Sequence, residues 1–383
     1  MIPVLKQSVG IDMSMDKFDV CFSVIDNQQN VTIKSTRKFA NKNQGFKEFD
    51  LWVKKLERKD IPLVYVVEAT GVYYEQLAWH LFEQDASISV ILPTKARKYL
   101  ESLGLKSKND KIDAKGLSRL AAEQSLEKWK PLSSDFYKLR ALTREIESIH
   151  QMKTSLNNQV HALYHSRVQS KSSIRRIKTH ISLLDKQLVS IEKEIKKVVN
   201  QNHEIKTKIY KIIKVKGLGL MSVVTILAEC DGFALMKNQK QLVSYAGYDI
   251  VQNQSGKKTG KTRISKKGNS HIRRILHMPA FSVVKYKEPH FVALYERLIA
   301  KGKTKMQAYV AIQKKLLVLV YTLWKNDQEY IRTERNTIPK KEESPILITE
   351  HGNKIALENP RATQDKLQYN EMPEVLFSLG QRY

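Results

Sequence analysis

The sequence predicts an α/β domain, then a long helical hairpin, then a mainly α-helical basic domain. Three observations carry this expectation. Near the N-terminus, strand-like segments alternate with helical ones. In the middle, apolar residues recur at gaps of three and four over two long stretches. Across all 383 residues the formal charge is +27, and such an excess of Lys and Arg favours a polyanionic partner, most often nucleic acid.

The N-terminal elements read in order. Val9-Gly10-Ile11 begins a first strand. Phe18 to Val24 alternates at period two, and Val31-Thr32-Ile33 forms a third strand. Helical spacing runs through Phe46, Phe49, Trp52 and Leu56 over residues 43–58. Leu63 to Val67 is a continuous apolar run, as in a buried parallel strand. Residues 74–84 read as helix, and Ile88 to Leu92 as a last strand before Pro93. The result is a sheet with an antiparallel opening meander and a parallel continuation.

The next region changes character. Leu139, Leu142, Ile146, Ile149, Lys153, Leu156, Val160 and Leu163 keep the three-four rhythm, broken only by Lys153. A second run goes from Ile174 to Val198, after a polar stretch at Ser166 to Ser173. Such spacing fits an intrachain hairpin or an intermolecular coiled coil, a spacer or assembly device in either case. The expected boundaries are 1–128 for the α/β domain, 129–204 for the hairpin and 205–330 for the basic helical domain. Residues 331–383 hold four of the ten prolines and read as a polar tail.

With 42% hydrophobic residues the chain can build real cores. Cys21 and Cys230 stand far apart, in no zinc or disulfide spacing, and read as buried small hydrophobes. The N-terminus lacks a signal-peptide shape, and no stretch reaches the ~20 apolar residues that span a bilayer. A cytoplasmic, nucleoid-associated protein without a membrane partner is expected.

Two apolar strands each end in a carboxylate, Asp12 and Glu68. Side by side and parallel, they would present paired oxygens at one sheet edge. Asp110 and Asp113, three apart, share a face if a helix starts there. Four converging carboxylates are unfavourable unless a cation neutralises them, and Mg2+ suits such oxygen donors. Asp12 has an ordinary use as a cap of a strand turn, and Asp110 or Asp113 as a helix N-cap. Asp16, Asp19 and Glu75 are neighbouring competitors.

The basic domain offers other chemistry. Lys216-Gly217-Leu218-Gly219 joins two apolar helical segments, as in a helix-hairpin-helix turn, where Gly217 and Gly219 would let backbone approach a phosphate. An ordinary glycine turn fits equally. Residues 250–287 contain ten Lys or Arg and no acid. Lys257, Lys258, Lys261, Arg263, Lys266, Lys267, Arg273 and Arg274 are the candidate nucleic-acid contacts, on a loop or hairpin entering a helix near His271. A serine here could attack a phosphodiester and conserve its bond energy for rejoining. By chemistry alone Ser255, Ser265 and Ser270 are all candidates.

Gly10-Ile11-Asp12, Val67-Glu68-Ala69-Thr70-Gly71-Val72-Tyr73 and Lys108-Asn109-Asp110-Lys111-Ile112-Asp113-Ala114 resemble the three signature blocks of the insertion-sequence one-ten transposases. These are also called DEDD transposases or bridge-RNA-guided recombinases. Tyr245-Ala246-Gly247, Gln254-Ser255-Gly256, Ile264 to Asn269 and Ile272-Arg273-Arg274 resemble the same family's C-terminal block. The proline usual shortly after its Ala-Gly pair is absent here. The resemblance covers roughly residues 8–325.

That resemblance implies a RuvC-like RNase H fold for the first domain. It maps the family's four acids onto Asp12, Glu68, Asp110 and Asp113, and its nucleophile onto Ser255. It implies RNA-guided recombination, in which a structured non-coding RNA pairs with donor and target DNA. It further implies a homodimer that pairs into a tetramer. With the acids and Ser255 in different domains, a composite site between subunits is one expectation, and the two could meet in cis or in trans. A metal-dependent nuclease or junction resolvase, needing the acids but not Ser255, is the runner-up. A non-catalytic nucleic-acid-binding protein is a third reading, opposed by the ordered acids.

Overall fold

The computed structural model describes residues 2–104, 109–234, 236–252, 254–256, 258–260, 262–332, 347–348 and 354–355. It divides into two compact units, 1–134 and 135–383.

The first unit opens with a meander of β1 (Val4–Met13), β2 (Lys17–Asp26) and β3 (Val31–Ala40). α1 (Asn43–Leu56) leads to β4 (Leu63–Glu68), and α2 (Glu75–Glu83) to β5 (Ile88–Ile91). α3 (Pro93–Ser102) and α4 (Asp110–Glu123) complete it. The five strands lie in the order β3-β2-β1-β4-β5. β1, β2 and β3 pair antiparallel, whereas β1, β4 and β5 run parallel. This mixed sheet agrees with the expected meander and is consistent with an RNase H-like domain.

Alternation along β1 explains the layers. Val9, Ile11 and Met13 face one side, where they pack with Phe18, Phe22, Phe46, Phe49, Trp52, Leu77 and Leu81 beneath α1 and α2. Ser8, Gly10 and Asp12 face the other side, toward α4. There Val66 and Ile91 meet Ala96 of α3 and Leu117, Leu120 and Ala121 of α4. α3 is not visible in the sequence pattern, because only Ala96 of its ten residues is buried.

The second unit begins with two long helices, α5 (Ser134–His165) and α6 (Lys171–Gln201). They pair within one chain: Lys138 meets Glu194 at 3.1 Å, and Lys178 donates to the Tyr164 hydroxyl at 2.9 Å. Lys153, the residue that breaks the apolar rhythm, forms an ion pair with Asp185 of α6. Ser170 caps α6 by accepting from the Ser173 amide. The middle of the seam, Leu156, Ile177 and Ile181, is only half-buried.

The rest is α7 (His203–Ile212), α8 (Leu220–Cys230), α9 (Gln239–Tyr245) and two small antiparallel ribbons. β6 (Ile250–Val251) pairs with β9 (Arg263–Ile264), and β7 (Gln254–Ser255) with β8 (Lys258–Thr259). α10 (Ser270–Ile275), α11 (His277–Lys285), α12 (Pro289–Ala300) and α13 (Lys305–Lys325) follow. The hairpin, expected as a domain of its own over 129–204, shares its core with this helical region. Leu139, Leu142, Leu188, Ile191 and Ile195 pack in one cluster with Val223, Leu227, Ile272 and Leu316. The hairpin base has apolar sides beyond the seam, and these are covered by α7 to α13. Cys21 and Cys230 are buried free thiols, as expected. Within the tail, β10 (Leu347–Ile348) pairs antiparallel with β11 (Lys354–Ile355); apart from residues 331–332, the remainder of that segment lies outside the described residues.

Candidate active site

The carboxylates sit where three elements meet. Ile11 and Val67 are partners in the parallel β1–β4 ladder, so Asp12 and Glu68, one step further, are adjacent at the same sheet edge. Ladder partners share a face, which places both carboxylates on the α4 side. α4 begins at Asp110, with Asn109 as N-cap accepting from the Ile112 amide at 2.9 Å. Asp110 and Asp113 therefore both lie in its first turn.

Gly10 makes this meeting possible. A Cβ there would stand 2.0 Å from the Ser118 amide nitrogen and 2.3 Å from the Ala114 carbonyl oxygen. The α4 backbone thus lies directly on β1, and Ser118 donates to the Ser8 carbonyl at 3.1 Å. Asp12 is two residues along that face from Gly10, and Asp113 immediately precedes Ala114. Glu68 is oriented by Thr70, whose hydroxyl donates to Oε1 at 3.2 Å.

The electrostatics agree with this placement. Asp12 is pushed up to about 7, first by burial and then by the charges of Asp113, Asp110, Glu68 and Asp19. Asp19, the competitor opposite Asp12 on β2, is held by Lys38 at 3.3 Å. Among the described residues no three His, Cys, Asp or Glu side chains are grouped closely enough to hold a metal ion. The donor chemistry still suits one: hard carboxylate oxygens crowd a single partly buried edge, and their mutual repulsion is what a divalent cation would relieve.

Ser255 lies in the second unit. It closes β7, opposite Lys258 of β8, and is exposed beside Gly256 in the left-handed region at φ +54°. The competing serines have other surroundings. The Ser265 hydroxyl donates to Asp249 Oδ1 at 2.8 Å and accepts from the Lys267 amide, which makes it a loop tie. Ser270 opens α10 behind the Asn269 cap.

The basic candidates separate in the same way. Arg263, Lys266 and Lys267 are exposed. Arg273, expected to contact nucleic acid, instead directs Nη1 at the carbonyls of Ala246, Gly268 and Asn269. Arg274 forms an ion pair with Glu147 of α5. Lys257 and Lys261 lie outside the described residues, and Lys258 is described by its backbone alone. Gly217 adopts φ +99°, and a Cβ there would meet the α11 backbone at 2.9 Å. Its glycine requirement thus has an internal cause, whereas Gly219, at the N-cap of α8, faces open space.

One group escaped the sequence reading. Glu229 is a buried acid near the end of the apolar helix α8. Arg144 donates to both its oxygens at 2.8 and 3.0 Å, and Asn269 Nδ2 donates to Oε2 at 2.7 Å. Arg140 lies at 3.6 Å. Burial alone would raise its pKa, but these partners hold it below the usual carboxylate range. A lone acid in an otherwise apolar helix was the available signal, since such a charge needs a partner. The network ties α5 to the turn that follows the Ser255 ribbon. Where the usual proline is absent, Tyr248 is buried with its hydroxyl on Gln313, and the Ser265 amide donates to the Asp249 carbonyl.

Comparison with known proteins adds the following. Residues 9–166 match the transposase family DEDD_Tnp_IS110, and residues 210–296 match the family described as Transposase IS116/IS110/IS902. The pilin gene-inverting proteins of Moraxella bovis and Moraxella lacunata are each 30% identical over 327 residues, covering 85% of this chain and 98% of theirs. Among solved structures, RuvC of Thermus thermophilus matches at 12% identity and a TM-score of 0.26, over 32% of this chain and 99% of RuvC. A Ppx/GppA family protein of Aquifex aeolicus matches at 10% identity and 0.21, over 85% of this chain and 92% of that one. At TM-scores this low neither likeness bears on fold or chemistry.

Proposed function

This chain belongs to the IS116/IS110/IS902 family of transposases, and from that premise we propose that it recombines DNA under the guidance of a structured RNA, using Ser255 as nucleophile and the four acids as a metal site. The observation that carries the reading is the geometry around Gly10, which lets α4 bring Asp110 and Asp113 to the edge where Asp12 and Glu68 end their strands.

Asp12, Glu68, Asp110 and Asp113 would hold a divalent cation, Mg2+ in our reading. Such a cation supplies charge stabilisation at the phosphate and lowers the pKa of an attacking oxygen. Ser255 Oγ attacks the scissile phosphorus and forms an O–P bond. The bond from phosphorus to a deoxyribose oxygen breaks, and that oxygen leaves carrying the proton given up by the serine. Reversal at a new partner strand reseals the DNA and frees the enzyme. Arg263, Lys266 and Lys267, exposed around the ribbon, would hold phosphates, and Gly219 would offer the α8 N-terminus to another.

We further propose that two subunits complete the site. We assign the half-buried middle of the α5–α6 seam to that assembly, a dimer that pairs into a tetramer.

The test is recombination between donor and target plasmids by purified protein, with and without RNA transcribed from the flanking element. Activity should require the RNA and vanish in Asp113→Ala and Ser255→Ala. Recombination without RNA would remove the guidance. DNA cleavage lost in Asp113→Ala but kept in Ser255→Ala would favour a metal-only nuclease, whose acids all lie in the first unit.

A further inference from the structure

β1, β3, β4 and β5 all end at the edge that carries the carboxylates, and β2 starts there. The loops leaving this edge expose large apolar side chains. Met15, after β1, is 62% exposed; Val72 and Tyr73, after β4, are 68% and 40% exposed; Leu92, after β5, is 69% exposed. Large apolar groups in water need a reason when they gather at one place. Exposed Lys17 opens β2 and exposed Lys95 lies in the first turn of α3, with exposed Asp16 between Met15 and Lys17.

The rim is also braced. Asn41, just beyond β3, donates Nδ2 to the Ser14 carbonyl at 3.0 Å and to the Tyr73 carbonyl at 3.1 Å. One carboxamide thus fastens the loop of Met15 to the loop of Tyr73. Its own Oδ1 is buried without a hydrogen-bond partner among the described residues. Gly71 turns the second loop at φ +57°, and the Thr70 amide donates to the Glu68 carbonyl. The loops of Met15 and Tyr73 are therefore tied to each other beside the acids.

We propose that Met15, Val72, Tyr73 and Leu92 form a rim that receives unstacked bases of the DNA strand whose phosphate lies at the carboxylates. Resting on the function proposed above, it adds a subsite for the bases. Charge complementarity selects this occupant. A strand with one phosphate at the carboxylates would set its flanking phosphates on Lys17 and Lys95, at the two ends of the row, and its bases on the apolar faces between them. Aromatic and aliphatic side chains stabilise unpaired bases by stacking and wedge between base steps. An apolar protein partner would leave those lysines and acids opposed to nothing.

The test compares wild type with the double variant Val72→Ser/Tyr73→Ala. Leu51→Ser serves as control, removing an exposed apolar side chain from α1. The full chain is used with its flanking RNA. A 2-aminopurine beside the scissile phosphate reports unstacking without cleavage, and parallel assays measure cleavage of duplex and of a duplex opened by mismatches. Removing one stacked base contact corresponds to about a 5- to 150-fold loss. The double variant should lose the fluorescence rise, cleave duplex at least ~10-fold more slowly, and recover on the mismatched substrate. Leu51→Ser should match wild type.

Equal loss on both substrates, or no loss at all, would overturn the rim. A fluorescence response only from 2-aminopurine placed in the RNA would also overturn it and assign the rim to the guide. If wild type binds and unstacks DNA without cleaving it, and the double variant does not unstack it, the rim stands while the catalytic reading fails.

Discussion

Asp12 and Glu229 are both carboxylates withdrawn from water, and their surroundings push them in opposite directions. Around Asp12 the neighbours are Asp113, Asp110, Glu68 and Asp19, all of the same sign, and its pKa rises to about 7. Around Glu229 they are Arg144, Arg140 and Asn269, and its pKa falls. One site gathers carboxylates at a sheet edge; the other uses every oxygen to join helices. Removing a fully matched buried acid strands its partners and destabilises the fold, whereas a crowd of acids held together by the backbone gains from whatever neutralises it. The contrast separates the candidate reaction centre from the scaffold without reference to any ligand.

The largest effect on stability should come from the matched acid. Glu229→Ala strands Arg144 and Arg140 and should lower stability by about 3–5 kcal/mol, read by denaturant unfolding. Asp12→Asn should do the reverse in metal-free protein at pH 8, raising stability while abolishing recombination. If both substitutions destabilise alike, the two carboxylates are not different in kind.

Gly10→Ala comes next. Its methyl group would enter the α4 backbone, an overpacking that costs about 1–3 kcal/mol, with this contact at the upper end. Because the same contact sets Asp113 beside Asp12, divalent-cation binding, followed by calorimetry, should weaken together with stability. Stability lost with binding unchanged would mean that α4 does not position the acids.

The pH dependence completes the comparison, and its sign differs between the two sites. With its folded pKa raised from 3.8 to about 7, Asp12 binds its proton more tightly in the folded chain than in the unfolded one. Its contribution is fully present below 3.8 and is lost as pH rises toward 7. Glu229 has a depressed folded pKa, so its contribution is present above 4.5 and is lost as pH falls through the folded value. Thermal melts without metal should show Asp12→Asn removing the decline between pH 5 and 8. Added Mg2+ should stabilise wild type at pH 8 more than at pH 5, and Asp12→Asn little at either pH.

Much of the first unit was legible because its signals are local. Period-two alternation in Phe18 to Val24 and the apolar run Leu63 to Val67 mark strands whatever lies around them. Asp12 and Glu68 stood out by ending such runs. The role of Gly10 was hidden, since nothing in Val9-Gly10-Ile11 reveals a helix arriving from residues 114–118. α3 was hidden too, because a helix that buries one alanine leaves almost no apolar period. In the second unit the decisive contacts are distant in sequence. Arg144 and Glu229 are 85 residues apart, and Arg273 looked like a phosphate contact until its guanidinium was found on the Ala246 carbonyl. Ser255 could not be chosen from chemistry alone, and it was the likeness of Gln254-Ser255-Gly256 to a family block that singled it out. Ser255 is exposed on β7, as is Ser270 at the start of α10, whereas Ser265 is hydrogen-bonded.

The central claim is that the crowded acids and the exposed serine act in one reaction. The most direct measurement is covalent trapping: protein, Mg2+, flanking RNA and labelled donor and target DNA, resolved under denaturing conditions. Wild type should carry label on the protein, and Ser255→Ala and Asp113→Ala should both lose it. Labelled DNA cleaved without any protein adduct, and cleaved equally by Ser255→Ala, would contradict the account and leave the acids as a nuclease centre working alone.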